Sequence, residues 1–282
     1  MRTIRTESEA REFRGCVLVP TMGALHEGHA ALLRQAARLA AGDRPVVATI
    51  FVNPTQFNES ADFDRYPRDL DRDLAVAATA GATAVFAPAV DTVYPPDAPV
   101  PVPPLPAVAT QPGLEDRHRP KHFAGVAQVV ARLLDLLGPS AAVFGEKDWQ
   151  QLQLVRAMVR DAAAATPDRW PHLEILAGAT VREPDGLAMS SRNRLLSEEA
   201  RHAARGIPRA LQLAHSAQHP PTAERLMRET LEAHGLEVEY AVVRDAETLL
   251  PIGDFRSPTR GLIAARVGGV RLIDNQPMTI WR

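Results

Sequence analysis

The stretch PTMGALHEGHAALLRQAARLA (residues 20–40) carries two histidines, His26 and His29, three positions apart, with Gly23 and Gly28 beside them and a run of helix formers behind. Glycine lets backbone N–H groups close on a ligand, and a helix N-terminus adds partial positive charge, so the pattern suits a phosphate. Two imidazoles can donate to phosphate oxygens and stabilise the charge that builds up in phosphoryl chemistry. Zinc is disfavoured. The helical pattern HExxH needs four-residue spacing, here it is three with Gly28 between, and no further His, Cys or carboxylate set converges. The sequence assigns no metal ligands.

Three further clusters offer compatible chemistry. In GEKD (145–148), Lys147 can act as a mobile point charge on phosphate and Asp148 can bind hydroxyls such as a ribose pair. MSSRN (189–193) supplies two hydroxyls and the Arg192 guanidinium, a set suited to polyphosphate, with Gly186 upstream to flex the loop. The amides Asn53, Gln56, Gln150 and Gln151 can hold a carboxylate and hydroxyls without adding charge, as a small hydroxy acid requires. Singly, each has an ordinary reading: loop histidines, a surface ion pair, hydroxyls capping a helix near Ser197 and Glu199, surface amides.

What joins them is the elements that must position them. Residues 15–20, 44–52, 83–88, 141–147 and 173–181 read as short apolar strands. Between them, 30–40, 69–82, 123–137 and the segment from Asp148 have helical spacing, with Asp148 a plausible N-cap. That alternation implies an α/β fold, a parallel sheet with helices on both faces and a ligand site beyond the carboxyl ends of the strands. All four polar clusters fall at or after such ends. Residues 88–120 hold ten of the 24 prolines and exclude a long helix or central strand; the segment is either disordered or a functional loop. After about residue 185, helical segments (197–216, 222–234) precede strand-like EVEYAVVRD, GLIAARV and VRLIDN, a smaller α+β domain.

Composition narrows the class. The 282 residues allow one large domain or two moderate ones, and a net charge of −2 provides no global basic field for nucleic acid. No stretch approaches the roughly 20 apolar residues of a membrane span, and the N-terminal segment lacks a signal-peptide core. The single cysteine, Cys16, rules out an intrachain disulfide and suits a reducing cytoplasm.

The stretches PTMGALHEGH, IFVNPTQF, YPRDLDRDL, RPKHFAGVAQVV, FGEKDWQQLQLVR, TVREPDGLAMSSRN and RLIDN, in this order, closely resemble the pantothenate synthetase (pantoate–β-alanine ligase) family across essentially the whole chain. HEGH is similar to the HIGH motif of the nucleotidyltransferase superfamily, and MSSRN occupies the place of its KMSKS-like loop. The resemblance implies ATP-dependent condensation of pantoate with β-alanine through pantoyl adenylate, releasing pyrophosphate and then AMP. It implies that Met22, Gly23, Ala24, Leu25, His26, Glu27, Gly28 and His29 line the triphosphate site, with His29 the proton donor and His26 assisting. Gly145, Glu146, Lys147 and Asp148 would hold ATP, Lys147 on phosphate and Asp148 on ribose. Val181, Met189, Ser190, Ser191 and Arg192 would complete the nucleotide site. Gln56 and Gln151 would hold pantoate, Gln56 also near β-alanine, with Asn53 beside them. Mg2+ is expected with ATP. So are a homodimer, a Rossmann-like N-terminal domain (1–184) and a smaller C-terminal lid (185–282).

Two segments depart from the family pattern. The stretch DAAAATPDRWPHLEILAGATVRE is long, with Ala179 in place of an expected Pro; VATQPGLEDRHRPKHF is unusual at a rim that bears on pantoate access. Two other activities share the motifs. A nucleotidylyltransferase would leave AMP on its product, whereas a nucleotide sensor would form no pyrophosphate. The amide clusters favour the ligase, because they furnish a pocket for a small polar acid.

Overall fold

The computed structural model describes residues 1–57, 63, 64 and 66–278. Six parallel strands, β1 (Arg2–Ile4), β2 (Val17–Val19), β3 (Val46–Thr49), β4 (Ala84–Phe86), β5 (Ala141–Gly145) and β6 (Glu174–Gly178), lie in the order β1-β4-β3-β2-β5-β6. The chain winds outward from β2 in both directions, so the strand order reverses between β2 and β5. Crevices for ligands open at such switch points.

Alternation along each strand sorts the core into two layers. Val17, Val19, Val46, Ala48 and Val143 face one way and pack on α2 (Glu27–Ala40) and α3 (Leu70–Thr79). Leu18, Val47, Phe86 and Phe144 face the other way, onto α6 (His122–Leu137) and α7 (Trp149–Ala165). Both faces are covered, as the apolar strand runs require.

The proline-rich segment is ordered. It carries short helices α4 (Val90–Val93) and α5 (Glu115–His118) and a 3-10 turn at Ala107–Ala109. Val93, Val108 and Leu114 anchor it in the core, and Gln128 of α6 donates to Val100 O (2.7 Å). The long segment after α7 docks back on α6, where Arg169 (2.9 Å) and the Trp170 indole N–H (2.7 Å) both reach Asp135. The N-terminal strand β1 and helix α1 (Glu7–Arg11), unread in the sequence, close one edge of the sheet.

Beyond this, α8 (Glu198–Ala204), α9 (Gly206–Ala214) and α10 (Pro220–Ala233) cover one face of an antiparallel sheet, β7 (Glu237–Asp245), β8 (Thr259–Val267) and β9 (Val270–Pro277). The opposite face of that sheet, through Tyr240, Leu262 and Ala264, joins the core of the larger body. Residues 181–189 form a hairpin between the two: Arg182 bridges Ala188, and the Met189 N–H reaches Val181 O (2.9 Å). Gly186, at φ +89°, makes its turn, so this glycine closes a hairpin where the sequence suggested a flexing loop.

Candidate active site

A cavity of about 220 Å3 lies at the switch point, over the carboxyl ends of β2, β3 and β5. His26, His29, Lys147, Gln151 and Ser191, distant in sequence, all line it. So do Met22, Gly28, Asn53, Gln56, Gly145, Asp148, Val181, Met189, Ser190 and Arg192. Gly23, Ala24, Leu25, Glu27 and Glu146 do not. The Ala24 and Leu25 N–H groups are taken by Asp73, Glu27 faces outward to Arg34, and Glu146 pairs with Arg260 (2.8 Å).

The two histidines form a reciprocal cap on α2. The Gly28 N–H donates to His26 Nδ1 (3.1 Å), and the His26 N–H donates to His29 Nδ1 (3.3 Å). Each ring therefore spends its Nδ1 as an acceptor, which fixes the proton on Nε2 when the ring is neutral. A methyl at Gly28 would meet the His26 ring at 2.9 Å, so glycine is what lets the imidazole fold over the turn. Burial pushes the His26 pKa down to about 4, helped by Lys147, and that of His29 down to about 3, helped by His26. Both rings are neutral near pH 7 and offer Nε2–H donors. The sequence expectation of backbone N–H groups closing on phosphate is corrected in part: the N–H groups of Gly23, Ala24, Leu25, His26 and Gly28 bond within the protein.

On the opposite wall, Glu146–Asp148 form a 3-10 turn leading into α7. Asp148 occupies the N-cap position, but its side chain makes no capping bond and is exposed at the cavity. Lys147 Nζ lies 3.9 Å from its carboxylate. The Asn275 amide donates to the carbonyls of Glu146 (3.0 Å) and Lys147 (2.8 Å), so the last strand of the smaller sheet holds this turn. In the third cluster, Ser190 Oγ accepts from the Arg192 N–H (3.2 Å), spending one hydroxyl on its own turn, while Ser191 bonds Tyr66.

The amides divide sharply. Asn53, 1% exposed, donates to Gln56 Oε1 (3.0 Å) and Gly125 O (3.1 Å), and its oxygen accepts from the Tyr94 hydroxyl (2.8 Å) and the Thr55 N–H (3.3 Å). Its amide holds Gln56 and Gly125, and Asn53 lines the cavity from behind these bonds. Gln150 is consumed, between Glu115 N–H (3.0 Å), Val108 O (2.9 Å) and Asp116 (3.1 Å), fixing the proline-rich loop. Gln56 and Gln151 line the cavity beside Asn53, and the Gln56 amide, held by Asn53 at Oε1, donates from Nε2 to Met22 Sδ (2.9 Å). Gly125 on α6 makes the Gln56 turn possible: a Cβ there would lie 2.3 Å from Thr55 O.

The sequence reading missed Arg119 and His122, although both stand in the quoted RPKHF. The His122 Nδ1–H donates to Gln56 O (3.0 Å), and Nε2 accepts from Arg119 (3.0 Å). Burial, aided by Arg119, lowers the His122 pKa to about 4. Arg119 brings a further cation into the cavity and lies 3.6 Å from buried Glu115, which Arg271 and the Tyr240 hydroxyl clamp from the smaller sheet. Thr21, Thr49, Tyr66 and Thr180 also line the cavity and carried no distinct sequence signal.

A doubly wound parallel sheet with imidazole N–H donors, a lysine and arginines around a switch-point cavity defines a nucleotide-using enzyme of the Rossmann-like class. The family model for pantoate–β-alanine ligase matches residues 1–277. The pantothenate synthetase of Paracoccus denitrificans is 48% identical over 270 residues, covering 93% of this chain and 90% of that one. The crystal structure of pantothenate synthetase from Thermus thermophilus superposes with a TM-score of 0.90 at 42% identity, covering 99% of this chain and all of that one. The pantoate–β-alanine ligase of Francisella tularensis, complexed with beta-gamma ATP and beta-alanine, superposes with a TM-score of 0.79 at 29% identity, covering 100% and 99% of the two chains. The chain belongs to the pantoate–β-alanine ligase family, and its activity is the ATP-dependent joining of pantoate to β-alanine.

Proposed function

We propose that the cavity joins the two acids through pantoyl adenylate, with the residue roles that follow. A carboxylate oxygen of pantoate attacks the α-phosphorus of ATP and pyrophosphate leaves. The β-alanine amine then attacks the acyl carbon, loses a proton and expels AMP. The first step brings two anions together, so it needs fixed positive groups and donors that exclude reorganisation. Lys147 and Arg192 supply charge. His26 and His29, as neutral rings, supply Nε2–H donors to phosphate oxygens, and we assign His29 this hydrogen-bonding role in place of proton transfer in the free site. Asp148 takes ribose hydroxyls. Gly145, Val181, Met189 and Ser190 shape the nucleotide pocket, and Met22 floors it. Gln56 and Gln151 hold pantoate as neutral amides and leave its carboxylate nucleophilic.

The observation that carries this reading is the convergence of His29, Lys147, Gln151 and Ser191 on one cavity. Among the described residues no group of three or more His, Cys, Asp or Glu converges, which suits a Mg2+ ion that enters on the triphosphate as part of the substrate. We take residues 1–184 as the nucleotide- and pantoate-binding domain and 185–282 as the lid; the boundary falls in the 181–189 hairpin. A homodimer, implied by the family resemblance, and a cytoplasmic setting, in keeping with a single buried cysteine, complete the proposal.

Coupled AMP release with ATP, Mg2+, pantoate and β-alanine, each omitted in turn, tests it. AMP release that requires β-alanine, with pyrophosphate formed from pantoate and ATP alone, supports the two-step route. A stable adenylated product in the presence of β-alanine would sink it in favour of an adenylyl transfer enzyme.

A further inference from the structure

The chain enters α2 through two consecutive residues in the left-handed region, Gly23 at φ +84° and Ala24 at φ +52°. Glycine takes that conformation freely, whereas alanine keeps it only where surrounding bonds over-determine it. Here the bonds come from one side chain. Asp73, on the first turn of α3 and 2% exposed, accepts the Ala24 N–H at Oδ2 (2.9 Å) and the Leu25 N–H at Oδ1 (2.7 Å). The carboxylate packs directly under the turn: a Cβ on Gly23 would lie 2.8 Å from Oδ2 and 3.1 Å from Ile50 Cγ2. The next residue is His26, whose extended backbone starts the reciprocal cap with His29. Asp73 does not line the cavity.

We infer that Asp73 is a positioning residue for adenylation: acting through the Ala24 and Leu25 backbone, it aims the paired imidazoles at the ATP phosphates. The inference rests on the adenylate reading above. Its carboxylate makes a left-handed alanine tolerable where a neutral group with one acceptor would not. Geometry at the histidines then depends on α3, an element that touches no substrate. A residue acting this way alters the rate of the phosphoryl step and leaves pantoate binding to Gln56 and Gln151 unchanged.

Pyrophosphate release from ATP, Mg2+ and pantoate reads that step. Asp73→Asn is expected to lower kcat by at least about tenfold while the pantoate KM stays within about twofold. Adding Ala24→Gly should recover at least about threefold of the loss, measured against the Ala24→Gly single variant, because glycine holds positive φ without the carboxylate. A folded Asp73→Asn enzyme with unchanged kcat overturns the inference, as does a folded double variant no faster than Asp73→Asn. If Asp73→Asn does not fold, Asp73→Glu takes its place, keeping the charge while moving the two acceptor oxygens off the Ala24 and Leu25 N–H groups. A loss of at least about tenfold in kcat then supports the assignment, and an unchanged rate overturns it. Wild-type enzyme that releases no pyrophosphate would overturn the adenylate reading itself, which separates the two failures.

Discussion

The turn after β2 and the turn after β5 face each other across the cavity, yet they draw their rigidity from different parts of the chain. The histidine turn is held from within the parallel-sheet body: Thr21 on Thr49, Ala24 and Leu25 on Asp73, and the two imidazoles on each other's backbone. The lysine turn is held from the smaller sheet, by Asn275 on two carbonyls and by Arg260 on Glu146. The first presents neutral donors; the second presents charge. One wall of the cavity is thus built by bonds within the parallel-sheet body, while the other depends on how the antiparallel sheet docks.

The largest effect that would sharpen this contrast is at the charged wall. Lys147→Ala should slow pyrophosphate formation from pantoate and ATP by about two to three orders of magnitude, the usual loss for a transition-state charge partner; a near-normal rate would count against its role. Asn275→Ala removes no group from the cavity, but leaves the Glu146 and Lys147 carbonyls and Arg260 short of a partner. A loss of roughly 1–3 kcal/mol in urea unfolding is expected, with pyrophosphate formation slowed in the same direction as for Lys147→Ala. If only stability falls and the rate holds, the smaller sheet does not position the lysine.

Gln150 and Gln151 repeat the contrast one residue apart. Gln151→Ala should raise the pantoate KM by about tenfold and change the ATP KM little, the mark of lost substrate binding. Equal losses for both substrates would make it structural. Gln150→Ala should instead lower stability by roughly 1–3 kcal/mol with pantoate KM intact.

The smallest effect per residue is with pH. His26, His29 and His122 have folded pKa values of about 4, 3 and 4, below the ordinary 6.5 that the unfolded chain regains. Between those limits the unfolded state binds more protons, so stability is full above pH 6.5 and falls as pH drops toward 4, by at most about 1 kcal/mol per histidine over the first unit. Urea midpoints at pH 7.5 and 5.5 check this; a higher midpoint at 5.5 would show that the rings are not held neutral. Burial pushes the Glu115 carboxyl up, but the Arg271 hydrogen bond and charge bring it down overall to about 2. Its contribution is lost only at much lower pH and does not confuse the measurement.

Much of this was legible in the sequence, for identifiable reasons. Apolar strands buried on both faces announce themselves as continuous runs, and Val17–Val19, Val46–Thr49 and Ala141–Gly145 were readable on that ground, as was their polar punctuation. Arg2–Ile4 escaped because an edge strand of three residues with two exposed side chains has no such run. Helix Glu7–Arg11 also escaped, although the Thr6 and Glu9 pair forms a capping box whose spacing was visible. The amides could not be sorted. Neighbours on a helix point about 100° apart, and nothing local says which of Gln150 and Gln151 meets the cavity. Asn53 looked like a ligand group because its four bonding partners come from Gln56, Thr55, Tyr94 and Gly125, two of them far along the chain. Asp73 was invisible for the same reason.

Gly125 remains, a missing side chain in the first turn of a buried helix. Because Thr55 O would sit 2.3 Å from any Cβ placed there, one added methyl would act as a shim and lift the Pro54–Gln56 turn by about 1 Å. With Gln56 in its proposed role, the depth at which the hydroxy acid sits is set by an absent atom, and remodelling the pocket for a longer or shorter acid would have to begin behind the pocket wall.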